Sequence, residues 1–495
     1  MQHFDVIIVG AGLSGVGAAY HLTHKCPEKT YALLESRDAI GGTWDLFRYP
    51  GVRSDSDMHT LGYNFKPWRD AKAIADGPSI RKYVRETAAE NGIEENIHFG
   101  QKLTAANWDS ANARWELTTA LKAGGVGQFS CNMLLMCAGY YSYDKPYTPD
   151  FPNRDAFKGQ VIHPQLWPED LDYAGKKVVV IGSGATAMTL VPAMAEQAAK
   201  VTMLQRSPTY VVSRPDRDKI ANTLRRFLPE QWAYDLTRWK NVTMQAITYN
   251  RTRTAPEKVK NTILKMVREE LGPDFDVDKH FTPSYNPWDQ RLCLVPNSDL
   301  FKALREKRAD VVTDHIEQFT ETGIALKSGE HLDADIIVTA TGLNLVVLGG
   351  AEFAVDGKPV NFPETFTYKG MMYSGVPNLI QTFGYINASW TLRADLTAEW
   401  SCRVINHMDA QGARQVTPTV LAKDSNMPAR PWIDDFSAGY MQRVMHLFPK
   451  QSDRQPWMNT QDFTADRKMV RHAPIEDESL VFANPAVEVT AAKAA

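Results

Sequence analysis

The chain is 495 residues long, too long for one hydrophobic core, so two or three domains are expected. Its 43% hydrophobic and 23% charged residues are those of an ordinary globular protein. The net charge of −3, without a basic tail or a run of like charge, creates no broad field for nucleic acid or anionic membrane, and no nucleic-acid partner is expected.

The first segments read as a strand, a turn, a helix and a strand. Phe4–Val9 (FDVIIV) is an apolar, β-branched run that ends in glycine, the pattern of a buried parallel strand. Val16–His24 has helical spacing, and Tyr31–Glu35 (YALLE) is a second short strand. Between them lies Gly10-Ala-Gly12-Leu-Ser14-Gly15. The first glycine allows a tight turn, the second a close approach of backbone to a pyrophosphate, and the third close packing of helix on strand. The free N–H groups of the helix start favour phosphate. Glu35, twenty residues past Gly15, stands where a carboxylate accepts hydrogen bonds from ribose hydroxyls.

The pattern recurs once. Lys177–Ile181 (KVVVI) is a strand, Met188–Ala198 a helix and Val201–Gln205 a strand, with Gly182-Ser183-Gly184-Ala185-Thr186-Ala187 as the turn. Here the second strand ends in Gln205-Arg206-Ser207 rather than in an acid. Arginine and a hydroxyl bind a 2′-phosphate that a carboxylate would repel, so this second site is expected to prefer NADPH. Two further strands, Leu134–Gly139 and Asp335–Gly342, end in small residues and mark crossings between domains.

The expected class is α/β, with two Rossmann-like dinucleotide-binding domains and a helical insertion. The first domain takes 1–145 and 336–480, and the second 146–217 and 281–335. Residues 218–280, rich in Arg, Leu, Trp and Lys at helical spacing, form the insertion; it is a candidate for peripheral membrane contact that its sequence alone does not decide. The segment Phe281–Asp289 (FTPSYNPWD) reads as ordered loops around a pocket, and 481–495 as a flexible tail.

Five scattered cysteines, none in a CxxC pair or at metal-ligand spacing, are expected as reduced thiols of a cytoplasmic protein with no metal site. The N-terminal MQHF lacks the basic start and cleavage site of a signal peptide, and no apolar stretch is long enough to span a bilayer.

After Glu35 come Gly41-Gly42-Thr43-Trp44-Asp45-Leu46 and Arg48-Tyr49-Pro50-Gly51-Val52-Arg53-Ser54-Asp55. Between the two glycine motifs, Phe157-Lys-Gly159-Gln-Val-Ile-His163-Pro-Gln-Leu-Trp167-Pro168 matches FxGxxxHxxxW(P/D) at every fixed position. On these stretches the chain resembles the Baeyer–Villiger flavin monooxygenases over roughly residues 4–470, and is most similar to the ethionamide-activating subgroup. The N- and S-oxidising flavin-containing monooxygenases carry Tyr or Phe where this chain has Trp167.

The resemblance implies FAD at the first site, held by Gly10, Gly12, Ser14, Gly15, Glu35, Thr43, Trp44, Asp45, Leu46, Asp55 and Leu103. It implies NADPH at the second, held by Arg53, Gly182, Ser183, Gly184, Ala185, Thr186, Ala187, Arg206 and Ser207. Phe157, Gly159, His163, Trp167 and Pro168 form a hinge that couples NADP binding to domain position. The implied reaction uses O2 and a C4a-peroxyflavin to convert ketones to esters or lactones, with sulfoxidation of sulfides or thioamides as a second activity. Arg291 is the implied catalytic cation, and Asp55 the acid that pairs with it. Thr341 and Gly342 mark the domain return. Asn387, Ser389 and Trp390 are candidates for a cofactor or substrate wall, and Trp457 and Asn459 for a closing loop.

The alternative is an N/S-oxidising flavin-containing monooxygenase without ketone oxidation. A disulfide reductase lacks its CxxC, and a flavin-binding sensor would oxidise no NADPH.

Overall fold

The structure, a computed structural model, describes residues 1–434 and 436–485. Two sheets organise it. In the first, Ile97–His98, Tyr31–Leu34, Gln2–Val9 and Val126–Met136 run parallel, in that spatial order. Val126–Met136 then continues antiparallel through Arg114–Leu121 to Gln101–Asp109, and Leu379–Gln381 returns late in the chain to pair with it. Val6, Ile7, Ile8, Leu33 and Leu135 are buried, because helices or further layers cover both faces of a parallel sheet.

The second sheet is wholly parallel, in the order Ala309–Thr313, Lys200–Gln205, Lys177–Ile181, Ile336–Thr339, Gln160–Ile162. Each glycine turn thus lies between a strand and its helix: Leu13–Lys25 in the first unit and Ala185–Met194 in the second. The second helix starts and stops earlier than the expected Met188–Ala198. It begins directly at the turn, and residues past Met194 close into turns that lead to the next strand.

Two expected boundaries move. Residues 336–339 are expected in the returning first domain, but Ile336–Thr339 fills a place inside the second sheet, so the crossing lies after Thr339. A buried four-residue run with partners on both sides stays with the sheet that hydrogen-bonds it. The tail expected from 481 begins as strand Leu480–Ala483, antiparallel to Gln415–Pro418; residues 486–495 lie outside the described residues.

The segment from 218 to 280 folds as helices Lys219–Phe227, Glu230–Thr254, Pro256–Leu271 and Val277–His280. Among the described residues, no helix is long and apolar enough to cross a membrane. All five cysteines are buried and unpaired.

Candidate active site between two dinucleotide folds

Both glycine turns open onto one cavity of about 920 Å³, near the upper end of the range for ligand pockets. Gly10 and Gly182 have φ of 105° and 131°. A Cβ on Gly10 would stand 2.7 Å from the carbonyl oxygen of Cys137, and one on Gly182 would strike that of Ala340. In each unit only glycine lets the turn lie against the end of the neighbouring strand. A Cβ on Gly15 would overlap the carbonyl of Gly10, which fits its expected packing role, whereas Gly184 faces open space. Helices Leu13–Lys25 and Ala185–Met194 start at Gly12 and Gly184 without a side-chain cap. Their first N–H groups are therefore free for an anion at the cavity wall.

Glu35 is buried at the wall of the first turn. Its Oε2 accepts the Ala11 N–H at 2.7 Å and its Oε1 the Arg37 N–H at 2.9 Å. Burial pushes the pKa of its carboxyl up, against the pull of these two donors. The Nε of Arg37, at the same wall, is buried without a hydrogen-bond partner. Uncapped helix starts, a carboxylate and an orphaned guanidinium donor together suit a dinucleotide: phosphate at the turns and ribose at the acid. Thr43, Trp44, Leu103 and Ser14 line the same wall, and Ser14 Oγ accepts the indole N–H of Trp390 at 2.7 Å.

Arg291 also lines this cavity, together with Asp55, Tyr140, Tyr141 and Tyr440. The expected Arg291–Asp55 contact does not form: no hydrogen bond or ion pair joins the two, which act on one another through space. Tyrosines crowd the guanidinium instead. Tyr440 leads in holding it charged, against the cost of burial, with Tyr140, Tyr141 and Asp55 adding to the effect. Burial raises the carboxyl of Asp55, opposed by Arg291 and Arg53. The Tyr140 and Tyr141 hydroxyls are 2.7 Å apart, and the Tyr140 ring stacks on Trp390 with centroids 5.0 Å apart.

These tyrosines are not among the site residues expected from the sequence. Tyr140 and Tyr141 follow Gly139 at the carboxyl end of a parallel strand, where ligands bind in such sheets, and that signal was available. Tyr440, from the single turn Gly439–Gln442, carried none.

Several expected contacts fall elsewhere. Asp45 does not reach the cavity: it is buried under Arg37, Arg48, Arg81 and Arg85, at 2.7, 2.9, 3.4 and 3.2 Å. Four guanidiniums leave that carboxylate no freedom to meet a ligand. Leu46 also lies off the lining, and Ala187 is buried inside its helix packing. Arg53 lines the cavity but is paired with Asp299 at 2.5 Å, which ties its loop to the second domain. Gly51 of that loop lies against helix Ala185–Met194, where a Cβ would be 2.6 Å from the carbonyl oxygen of Thr189. Ser183, Gly184, Ala185 and Thr186 line the cavity; Arg206 and Ser207 are exposed beyond it, at the end of Lys200–Gln205. Trp457 is fully buried in the first core, and Asn459 hydrogen-bonds Gln451, Gln461 and the Trp432 carbonyl. Neither reaches the cavity. Asn387 donates to the Gln461 carbonyl, whereas Trp390, Thr341 and Gly342 do line the cavity.

Phe157 packs in the second domain beneath Gly159, beside the edge strand Gln160–Ile162. Trp167 packs on the core of the same domain, next to Pro168. The His163 ring accepts the Gln165 N–H at Nδ1 and donates from Nε2 to the Gly342 carbonyl at 3.2 Å. Burial lowers its basicity, against the backbone acceptors that favour its proton.

A family profile described as flavin-binding monooxygenase-like matches residues 4–416. The chain is 53% identical to the FAD-containing monooxygenase EthA of Mycobacterium tuberculosis (strain ATCC 25618 / H37Rv), covering 97% of this chain and 98% of that one. It is 49% identical to a probable FAD-binding monooxygenase, AlmA, of Acinetobacter baylyi, over 97% and 96% of the two chains. A solved structure described as oxidized steroid monooxygenase bound to NADP shares the fold, with a TM-score of 0.78 and 22% identity over 98% of this chain and all of that one. An open crystal structure of cyclohexanone monooxygenase aligns with a TM-score of 0.70 and 22% identity, covering 85% and 90% of the two chains. On the extent of these matches, the chain belongs to the flavin-binding monooxygenase-like family.

Proposed function

We propose that this enzyme is an FAD- and NADPH-dependent Baeyer–Villiger monooxygenase that consumes O2 and converts ketones to esters or lactones, with oxidation of sulfides or thioamides as a second activity. The observation that carries the reading is a permanent cation, Arg291, in the wall of the cavity onto which both glycine turns open. FAD supplies oxygen activation when bound, and NADPH the electrons.

The residues of the chain divide the remaining work. The uncapped helix starts at Gly12 and Gly184 bind the two pyrophosphates. Glu35 takes ribose hydroxyls of FAD, and Arg206 with Ser207 takes the 2′-phosphate of NADPH where it reaches past the cavity. Arg291 stays charged at any working pH and steadies negative charge as it builds on oxygen. Asp55 and the tyrosines position that guanidinium through the local field. Trp390, Tyr140 and Leu103 give the cavity dry walls, and excluded water strengthens each electrostatic contact inside it. Support for a ketone substrate comes from the sequence fingerprint through Trp167, and at fold level from a neighbour named for cyclohexanone.

The test is aerobic NADPH turnover of the purified yellow protein with a panel of small ketones and sulfides. Ester or lactone carrying one atom from O2 is the expected product. Sulfoxide without any ester replaces this reading with the N/S-oxidising one, and an absence of NADPH oxidation removes both.

A further inference from the structure

The helical insertion has two unlike faces. Its inner face is committed to the fold. Ala233, Tyr234 and Thr237 are buried, the Tyr234 hydroxyl donates to the Tyr63 carbonyl at 2.8 Å, and Arg238 donates to the carbonyls of His59 and Gly62. The outer face is apolar and in water. Phe227 is 80% exposed, Trp232 66% and Trp239 64%, with Ile220, Leu236 and Ile247 exposed beside them. In Glu230–Thr254 the spacing 232, 236, 239, 247 puts these side chains on one stripe, opposite the buried set. Soluble surfaces seldom carry two tryptophans and a phenylalanine this close together without a partner.

Charge indicates which partner. Between 217 and 254 stand eight basic residues and three acidic ones, in a chain whose net charge is −3. Among the described residues, the side chains of Arg217, Lys219, Arg226 and Arg251 are exposed and have no ion-pair or hydrogen-bond partner, while Glu230 is taken by Arg69 and Asp218 by Lys240. A second copy on a two-fold axis would set these free cations against their own images. An apolar, tryptophan-bearing stripe flanked by free cations matches the boundary between lipid headgroups and acyl chains.

We propose that this face docks the enzyme on an anionic lipid bilayer, with Trp232 and Trp239 entering the headgroup boundary and the four cations meeting anionic headgroups. The far end of the same helix reaches the loop that carries Arg291: Arg253 pairs with Asp289 at 3.0 Å, and the Tyr249 ring meets Trp288 edge-on at 6.0 Å. A docked insertion would therefore hold one wall of the cavity close to the lipid, where apolar molecules concentrate. Docking is independent of which reaction the cavity performs.

The experiment sediments the full FAD-loaded protein with phosphatidylcholine vesicles, with and without phosphatidylglycerol. Sedimentation that requires phosphatidylglycerol, weakens with salt and shifts tryptophan emission to the blue is expected. The variant Trp232→Ser with Trp239→Ser should bind roughly tenfold or more weakly. Lys219→Glu with Arg226→Glu should lose the preference for anionic lipid. Both variants should keep wild-type circular dichroism and NADPH oxidation in buffer. The proposal is overturned if the wild type stays in the supernatant at low salt. It is equally overturned if the tryptophan variant sediments like wild type, or if light scattering without vesicles shows a dimer that this variant dissolves.

Discussion

His163 in the outgoing crossing donates a hydrogen bond to the Gly342 carbonyl in the returning one, with its Nε2 3.2 Å from that oxygen. The two strands of chain that join the dinucleotide folds are thereby fastened to each other beside the cavity, because Gly342 is part of its lining. We propose that this fingerprint residue acts on domain position rather than on reacting atoms, since His163 itself is not part of that lining.

His163→Ala should loosen this clasp by ~1 kcal/mol, the worth of one hydrogen bond, and raise the KM for NADPH about fivefold. FAD content should be unchanged. The pH dependence has a definite sign. Burial lowers the folded-state basicity of His163, so its neutral form contributes stability fully above the unfolded pKa of about 6.5. That contribution is lost as pH falls through the depressed folded value. Thermal melts of wild type and variant should converge on the acid side and separate on the alkaline side.

Arg291→Ala should still accept electrons from NADPH but lose ester formation by ~100-fold or more, the scale for removing one preorganised charge donor. Rapid-mixing absorbance separates flavin reduction from product yield. Arg291→Lys should recover only part of the loss, since an ammonium cannot spread charge as a guanidinium does. A normal ester yield from the alanine variant would remove Arg291 from the mechanism.

Arg206 is exposed and holds no partner among the described residues, so Arg206→Ala should not change the melting temperature. It should raise the KM for NADPH ~10–100-fold, as a lost charge-assisted hydrogen bond would, and leave that for NADH alone. Steady-state kinetics with both nucleotides decides this.

Asp45→Asn leaves Arg37, Arg48, Arg81 and Arg85 facing one another without a counter-charge. The expected loss is ~3 kcal/mol, at the low end for a broken buried pair because the arginines are 24–44% exposed and partly screened. Denaturant unfolding should show it, while turnover of protein that remains folded stays near wild type.

Which parts of this molecule could be read in advance follows from how far each feature reaches along the chain. Gly10, Gly12, Gly182 and Gly184 announce their turns because a strand, a glycine turn and a helix are local, and their spacing is dictated by backbone geometry. The helical insertion was legible for the same reason, through its 3.6-residue periodicity. The arginine cage around Asp45 was not legible because Arg81 and Arg85 lie on a helix more than thirty residues later. The crossing at Thr339 was misplaced because a four-residue apolar run does not reveal which sheet will pair with it.

Sequence by itself determined the two dinucleotide units, their order and the fingerprint that joins them, since each rests on neighbouring residues. Tertiary structure alone decided that both turns share one cavity, that tyrosines rather than Asp55 surround Arg291, and that His163 meets Gly342. It also decided which face of the insertion was left to solvent. Each of these joins residues far apart in the chain, and only the packing of one folded unit on the other brings them within reach.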